Sequence, residues 1–411
     1  MSPNSDNPLV TEDDGIPVET DPVHRALLGD AEALSEHLRL LRLKFFPPSS
    51  LKQLRKFTTT EAARLIGVSD SYIRKLRLGE GLEPDKGTGG KLLYTLAQIN
   101  NIRQTLSEGR DRSFFPRRQA GEHLQVLTVA NFKGGSGKTT TAAHLAQYLS
   151  LKGYRVLAVD LDPQGSLSAL FGYQPELDVA ENQTLYAAIR YDEERRPLRD
   201  VIRPTYFEGL DFVPAALELQ EFEHATPMHM TPQSGVAVED LFFARVSTAL
   251  ETVQADYDVV VMDCPPQLGF LTLSALCAAS GLVVTVHPQM LDVSSMAQFL
   301  YMTSDLLRVV HGRGADLHYD FLRYLVTRFE PHDGPQTQVV ALMRNLFGER
   351  VLTNAMLKST AVSDAGLSKE TLYEVAREKF VRQTYDRAIE SLDLVNAEIE
   401  GLMHRAWGRK R

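Results

Sequence analysis

The pattern of apolar and polar positions changes near residue 123. Before that point apolar residues recur at helical spacing, whereas beyond it short continuous apolar runs alternate with helical stretches. The clearest runs lie at 126–130, 156–159, 259–262, 282–286 and 321–328, with a weaker one at 211–214. Continuous runs of this length are typical of strands buried on both faces. We therefore predict an α/β domain over 123–411, with a mostly parallel twisted sheet flanked by helices.

A heptad pattern occupies the N-terminal residues. Apolar residues from Leu27 to Phe45 follow one another at alternating spacings of four and three, and Pro47 and Pro48 end the pattern. This is the seam of a short coiled coil, so 23–46 is predicted to be a dimerisation helix; packing on its own chain is the alternative. Residues 1–22 contain six acidic residues and no Lys or Arg, which predicts a disordered tail.

The next segment, 47–104, carries a helix-turn-helix pattern. Thr58 or Thr59 can cap a first helix, Gly67 can supply a turn, and Ser69 can cap a second, basic helix. Residues 86–96 resemble the wing hairpin of winged helix-turn-helix domains, followed by a helix. The segment is therefore predicted to be a mainly α-helical winged helix-turn-helix domain.

Local charge favours DNA as the ligand of this domain. From Lys44 to Lys91 there are ten Lys or Arg residues against five Asp or Glu, which is the electrostatic signature of phosphate binding. A small helical packing module is the alternative. The predicted DNA contacts are Ser71, Tyr72, Arg74, Lys75, Arg77 and Lys91.

Whole-chain composition narrows the possible classes of protein. The net charge of −9 excludes a uniformly basic nucleic-acid binder, so the DNA prediction depends on the local excess. Cys264 and Cys277 fit neither a disulfide framework nor a zinc site. The sequence lacks a signal peptide and a run of about 18 apolar residues, so we expect a cytoplasmic protein that does not use a membrane.

Residues 105–122 are predicted to be a linker, 190–204 a surface excursion and 224–236 a loop.

A glycine-rich loop stands between the apolar run 126–130 and the helical stretch that begins at 141. It reads Lys-Gly-Gly-Ser-Gly-Lys-Thr-Thr over 133–140. Glycines allow backbone N–H groups to turn inward onto a phosphate, and the N-terminus of the following helix adds positive charge. Lys138 is predicted to reach the phosphates and Thr139 to contact Mg²⁺. The common pattern has a glycine five residues before Gly137, where this chain has Phe132; a second lysine, Lys133, stands directly before the glycines instead.

Carboxylates follow two of the predicted strands. Asp160 and Asp162 come after 156–159, and Asp263 comes after 259–262. In open α/β sheets ligands bind at the carboxyl ends of the strands. Four apolar residues closed by an Asp form a Walker B site, so Asp263 is predicted to hold Mg²⁺.

These motifs resemble those of one family. Residues 133–140 are similar to the deviant Walker A box of the ParA/MinD-type ATPases, 159–165 to the A′ box of ParA, and 263–269 to its Walker B and switch II. Residues 287–293 and 322–331 resemble the RepA group, the ParA members of repABC plasmid replication and partition cassettes. The resemblance covers about 123–411 and implies a P-loop NTPase fold.

The resemblance also implies roles for individual residues. Lys133 would cross a dimer interface to the partner's phosphates, so the implied catalytic residues are Lys133, Lys138 and Asp162, the last positioning the attacking water. Asp160 would support Mg²⁺ together with Thr139 and Asp263. The implied nucleotide contacts are Gly134, Gly135, Ser136, Gly137, Lys138, Thr139 and Thr140, with Thr327 and Arg328 near the adenine.

The implied function is ATP-dependent plasmid partition on the nucleoid. Such a protein forms a homodimer on ATP, binds bulk DNA without sequence preference, is stimulated by a ParB-type centromere-binding partner and represses its own operon. Lys358, Lys379 and Arg382 are candidates for the bulk-DNA contact. The alternatives are a nucleotide-sensing repressor with negligible turnover and a MinD-like membrane-positioning ATPase.

Overall fold

The computed structural model describes residues 22–45, 52–75, 83–108, 114–230, 241–315 and 317–409. The predicted acidic tail, Arg77 and residues 109–113 of the predicted linker lie outside these ranges. The chain divides into two compact units, 1–52 and 53–411. Within the described ranges, every helix is too short or too polar to cross a lipid bilayer.

The first unit contributes one helix, α1 (Pro22–Phe45), of 24 residues. Leu27 and Leu34 of the predicted seam are more than half exposed within the chain. An apolar stripe that is exposed on a single chain is compatible with pairing, and dimerisation through α1 stays a prediction.

The second unit opens with a small three-stranded sheet and three helices. The sheet is antiparallel, with β1 and β2 on either side of β3. Thr58 caps α2 in a capping box with Glu61, and Gly67 ends α2 in the left-handed region at φ +83°. Two helices, a glycine turn and a hairpin therefore follow in the predicted order. The elements are β1 (Phe57–Thr58), α2 (Thr59–Ile66), α3 (Asp70–Lys75), β2 (Asp85–Lys86), β3 (Leu92–Tyr94) and α4 (Leu96–Ser107).

The large domain is built on a seven-stranded sheet, ordered β10-β9-β4-β8-β5-β7-β6. All neighbouring strands are parallel except the edge pair β6–β7. The prediction of a mostly parallel sheet is therefore confirmed. The strands are β4 (Gln125–Ala130), β5 (Val156–Asp160), β6 (Arg203–Pro204), β7 (Leu210–Val213), β8 (Val259–Asp263), β9 (Gly281–Val286) and β10 (Phe321–Val326).

Helices cover both faces of this sheet. Alternate strand residues enter two separate apolar cores, as Leu127 and Val126 of β4 do, because successive side chains of a strand point to opposite faces. The first core continues without a break into α2 and α4. The helices are α5 (Lys138–Lys152), α6 (Ser166–Leu170), α7 (Pro175–Asp178), α8 (Tyr186–Ile189), α9 (Gln220–His229), α10 (Arg245–Glu251), α11 (Phe270–Ala278), α12 (Met290–His311), α13 (Gly334–Phe347), α14 (Thr360–Leu367) and α15 (Arg382–Ala406).

Three local predictions differ from the structure. The loop prediction for 224–236 is wrong over 224–229, which complete α9; His229 stacks on Tyr191 with ring centroids 4.2 Å apart. The excursion at 190–204 buries Leu198 and Val201 and adds the edge strand β6. The described part of the linker is packed on the large domain: the Arg118 backbone N–H donates to Asp258 over 3.2 Å. Aromatic stacking and apolar burial decide the first two cases, and a hydrogen bond to a buried carboxylate decides the third.

Candidate nucleotide site

The glycine-rich loop joins β4 to α5 and is fixed from below by β9. Asn131 donates its side-chain amide to the Thr285 carbonyl over 2.5 Å, and its Oδ1 accepts from the Lys133 backbone N–H over 3.1 Å. Ser136 and Thr285 share a hydroxyl hydrogen bond of 3.0 Å. Gly135 and Gly137 have φ of +73° and +87°, conformations that side chains disfavour. The loop is therefore held open, with Gly134 and Gly135 exposed.

Thr327 and Arg328, which follow β10, contact the same loop from the side. The Thr327 hydroxyl donates to the Ser136 carbonyl over 2.7 Å, and Arg328 Nη1 donates to the Gly135 carbonyl over 3.2 Å. A Cβ at Gly137 would lie 3.4 Å from the Thr327 side chain. Both residues thus support the loop backbone. The contact with adenine implied by the resemblance is a separate role that stays a prediction.

Lys138, the first residue of α5, is buried under the loop. Its Nζ donates to the Lys133 carbonyl over 3.1 Å. Burial lowers the pKa of the ammonium, and the neighbouring Asp263 partly opposes that shift. Lys138 has only this one carbonyl hydrogen bond to give up, so its ammonium can turn to a phosphate bound at the helix N-terminus at a small cost in free energy.

Asp263 ends β8 directly beside the loop strand β4. The side chain is fully buried, and no hydrogen bond of normal geometry reaches either carboxylate oxygen, although the Thr139 side chain lies close enough to oppose the rise in the pKa of Asp263. Burial, followed by the nearby Asp160, raises the pKa of Asp263 well above its usual value. A buried carboxylate with both oxygens unsatisfied is costly and suits a cation. Among the described residues no group of three or more His, Cys, Asp or Glu forms a ready metal site, so a cation here needs ligands from Thr139 and from phosphate.

Asp160 faces Asp263 across the β5–β8 pair but has other partners. Its Oδ1 accepts from the Asp162 N–H over 3.1 Å, and its Oδ2 accepts from the N–H and hydroxyl of Ser168, both at 2.8 Å. Burial raises the pKa of Asp160 to about 7. The structure therefore gives Asp160 a structural role in the A′ turn; its predicted part in binding Mg²⁺ stays a prediction.

Asp162 lies at the rim of the site and is 9% exposed. Its Oδ1 accepts from the Gln164 N–H over 3.0 Å, and its carbonyl accepts from Gly165 N–H over 2.8 Å. A Cβ at Gly165 would lie 2.2 Å from Pro175. The turn is thus tight, and it fixes the position of the Asp162 carboxylate. Asp162 and Lys138 therefore belong to the site of one subunit.

Lys133 does not extend over its own loop. Its ammonium forms an ion pair with Asp292, near the start of α12, which also pairs with His287 Nδ1 at 3.2 Å. The Asp292 side chain is 6% exposed and that of Lys133 39%. Burial, followed by Arg328 and Lys133, lowers the pKa of His287. Sequence reasoning missed Asp292, although it lies in the quoted segment 287–293, because nothing in the pattern brings α12 to the loop.

Two of the predicted DNA-contacting residues, one on α3 and one in the hairpin, line a common groove in the small N-terminal domain. Ser71, Arg74 and Lys75 are exposed on α3, and Tyr72 is partly buried. Arg74 and the hairpin residue Lys91 line one groove of about 490 Å³. The structure thus brings α3 and the hairpin together, while Arg77 lies outside the described residues.

The three candidates for bulk-DNA contact differ in their surroundings. Lys358 pairs with Glu330 at 2.9 Å, and Lys379 pairs with Glu370 at 3.6 Å. Arg382 is exposed at the N-terminus of α15. Carboxylate partners reduce the positive potential that Lys358 and Lys379 can offer to phosphates.

Comparison with known proteins places this site in a family. Residues 124–310 match the family described as AAA domain. The chain is 54% identical to the putative replication protein A of Rhizobium rhizogenes, over 92% of this chain and 94% of that protein. It is 32% identical to the chromosome-partitioning ATPase Soj of Thermus thermophilus, over 66% of this chain and 95% of that protein.

A solved structure described as "Partition Protein" has the same fold. It matches with a TM-score of 0.60 at 18% identity, over 91% of this chain and 98% of that chain. The fold and the glycine-rich loop agree with these relatives, two of which are matched over nearly their whole lengths. The chain therefore belongs to the ParA-type partition ATPases.

Proposed function

We propose that the chain is an ATP-dependent plasmid-partition protein that works as a homodimer on DNA. The observation that carries the proposal is the glycine-rich loop. It combines two left-handed glycines, a buried Lys138 and a second lysine whose side chain is directed away from the phosphate cradle. Because the ammonium of this second lysine is paired with Asp292 and Lys138 already occupies the cradle, Lys133 would serve the nucleotide of a facing subunit.

The residues present fit ATP with Mg²⁺. The backbone N–H groups of 134–140 would hold the phosphates, and Thr139 with Asp263 would hold the metal through water. The unsatisfied oxygens of Asp263 support this assignment. Mg²⁺ bound there would neutralise charge on the phosphates.

The chain's own residues would then share the work of hydrolysis. Lys138 would bind the phosphates within the subunit, and the Asp162 carboxylate would orient the attacking water. Lys133 of the facing subunit would stabilise the charge that develops on the transferred phosphoryl group, as an arginine finger does. For that purpose Lys133 must leave Asp292 when the two subunits close.

The second half of the proposal concerns DNA and a protein partner. The predicted winged helix-turn-helix domain, 47–104, would bind the operator of its own gene, with α3 in the major groove and the hairpin at the backbone. The ATP dimer would bind bulk DNA without sequence preference, and a ParB-type protein would stimulate turnover and release. The protein would then occupy the nucleoid in the cytoplasm.

Steady-state ATPase assays test the proposal. We expect weak turnover by the protein alone and a strong increase when both DNA and the cognate ParB-type protein are added. Turnover that changes neither with DNA nor with the ParB-type protein would favour a nucleotide-sensing repressor. Co-sedimentation with liposomes in the presence of ATP, but not ADP, would favour a membrane-positioning ATPase.

Mg²⁺ binding is expected to strengthen as the pH rises toward the raised pKa of Asp263. Since the pKa of Asp263 is raised in the folded protein, protons compete with Mg²⁺ until the carboxyl ionises. The apparent Mg²⁺ affinity of the ADP complex should rise by up to about tenfold per pH unit below that pKa. Titration calorimetry at several pH values measures this. Asp263→Asn should remove the dependence; a pH-independent affinity in the wild type would contradict the prediction.

DNA binding is expected to depend on Arg74 and Lys91 in different ways. Arg74→Ala should weaken binding to the duplex upstream of the gene by roughly 5- to 100-fold, the range for losing one base contact. Lys91→Ala should weaken all duplexes alike and reduce the slope of log affinity against log salt by about 1. Fluorescence anisotropy at several salt concentrations separates these effects.

Arg308→Ala is the control for both DNA variants, since Arg308 is an exposed arginine on α12, in the large domain. A control that weakens binding as much as Arg74→Ala would contradict the assignment of α3.

A further inference from the structure

Arg103 on α4 is a fully buried cation at the junction between the small N-terminal domain and the large domain. Its relative exposure is 0%. Of the acidic residues in the described ranges, none forms an ion pair with it. Burying a charge without an ion-pair partner costs free energy. The hydrogen bonds of the guanidinium therefore indicate what Arg103 does.

Two of those hydrogen bonds join helices from different domains. Arg103 Nη2 donates to the Leu65 carbonyl over 2.8 Å and to the Leu151 carbonyl over 2.7 Å. Leu65 is the last residue but one of α2, and Leu151 is the last but one of α5. The carbonyls of a last helical turn lack partners within the helix and carry the negative end of its dipole. One guanidinium therefore caps both helices.

The surroundings are shaped to admit this group. A Cβ at Gly153, which ends α5 at φ +103°, would lie 3.1 Å from Arg103 Nη1 and 3.0 Å from Phe115. Arg103 Nη1 also donates to Asn100 Oδ1 over 2.5 Å, which fixes the plane of the guanidinium. Outside the core, Arg64 of α2 pairs with Asp393 of α15 at 2.8 Å, but Arg64 is 75% exposed and contributes little.

Helix α5 leads from this junction straight to the glycine-rich loop. It starts at Lys138 and has 15 residues, so its two ends are about 22 Å apart. Its apolar residues share one core with those of α2 and α4. If nucleotide binding shifts the loop end of α5, this shared core and Arg103 would pass the shift to α2, against which α3 packs.

We propose that Arg103 is a positioning residue that couples nucleotide occupancy of the loop to the DNA affinity of the small N-terminal domain that holds α2, α3 and the hairpin. The inference rests on the proposed function, because it requires that both ligands bind. By linkage the coupling is reciprocal: the factor by which ADP changes DNA affinity equals the factor by which DNA changes ADP affinity.

The test uses the full chain and the duplex upstream of its own gene, with excess unrelated DNA as competitor. We expect saturating ADP to change the Kd for that duplex by about 5- to 150-fold in the wild type. In Arg103→Lys the cation remains, but the shorter side chain lacks the second nitrogen that bonds Asn100 and so fixes the plane in which Nη2 reaches both carbonyls. The ratio of Kd values with and without ADP should fall to within about twofold of 1, whereas the Kd for ADP alone should stay unchanged. Arg308→Lys is the matched control and should keep the wild-type ratio.

Hydrogen exchange on the wild type provides a second measurement that needs no variant. ADP should alter the exchange of amides at the end of α2, including those of Gly67 and Val68, which donate to the Ala63 carbonyl. Unchanged exchange there would overturn the inference even if Arg103→Lys fails to fold.

Two other outcomes separate the inference from the proposed function. A wild type that binds ADP and the duplex independently overturns the coupling and leaves the partition function intact, as does an Arg103→Lys variant with the wild-type ratio. A wild type that binds neither ligand overturns both.

Discussion

Replacing Lys133 with alanine is expected to lower ATP turnover in the presence of DNA and the ParB-type partner by about 10³-fold or more, the effect of removing an arginine finger. Binding of ATP by the isolated subunit should change little. The reason is that Lys138 is the lysine buried in the cradle, whereas the ammonium of Lys133 is paired with Asp292. Turnover and equilibrium ATP binding are measured separately.

A mixing experiment tests whether Lys133 acts in the facing subunit. Lys133→Ala and Asp162→Ala should each be inactive alone. In a mixed dimer, the Lys133→Ala subunit keeps its own Asp162 and receives Lys133 from the other chain, so one of its two sites is complete. Random pairing of equal amounts should then restore about a quarter of wild-type turnover. No recovery, with dimer exchange confirmed, would show that Lys133 acts within its own subunit.

Two controls belong with this experiment. Lys152→Ala removes a lysine from the far end of α5, where it lies over the Tyr148 ring at 5.2 Å, and should leave turnover unchanged. A mixture of Lys133→Ala with Lys133→Ala,Asp162→Ala offers no intact Lys133, so any recovery in it would point to contamination or an unrelated route.

The sequence could predict those features whose chemistry is contiguous along the chain. The loop 133–140, the carboxylates at the ends of β5 and β8, and the parallel sheet each follow from a local pattern. Asp292 could not be found in this way, because it meets Lys133 only when the start of α12, which follows β9, comes beside the loop. The role of Asp160 likewise depends on Ser168, eight residues away, whose amide and hydroxyl take up its Oδ2.

Arg103 illustrates the same limit for the domain organisation. In the sequence it is one more polar residue on an amphipathic helix, at the edge of a predicted linker. In the structure it is buried, because the last carbonyls of α2 and α5 converge on it. Periodicity identifies helices, but it does not tell which helix ends meet, so a junction that depends on two such ends is found only in the fold.

Replacing Asp263 with asparagine is expected to change activity and stability in opposite directions. ATP turnover should fall by roughly 10² to 10³-fold, since the carboxylate would hold the metal that stabilises charge in the transition state. The free energy of unfolding in EDTA should rise by about 1–3 kcal/mol, the cost of a buried unsatisfied polar group. Asparagine has nearly the same shape and carries no charge that must be buried.

The sign of the pH dependence gives this prediction a second test. Because the folded-state pKa of Asp263 is raised, the native wild type holds a proton that the unfolded chain has lost above pH about 4. The free energy of unfolding of the wild type therefore falls as the pH rises toward that raised pKa. The asparagine variant has no carboxyl at this position and does not lose this stability. The gain from Asp263→Asn should be larger at pH 8 than at pH 5, as denaturant unfolding can measure. A variant that is inactive and also less stable at pH 8 would mean that Asp263 serves the fold rather than the metal, and the site would then lose its cation-binding group.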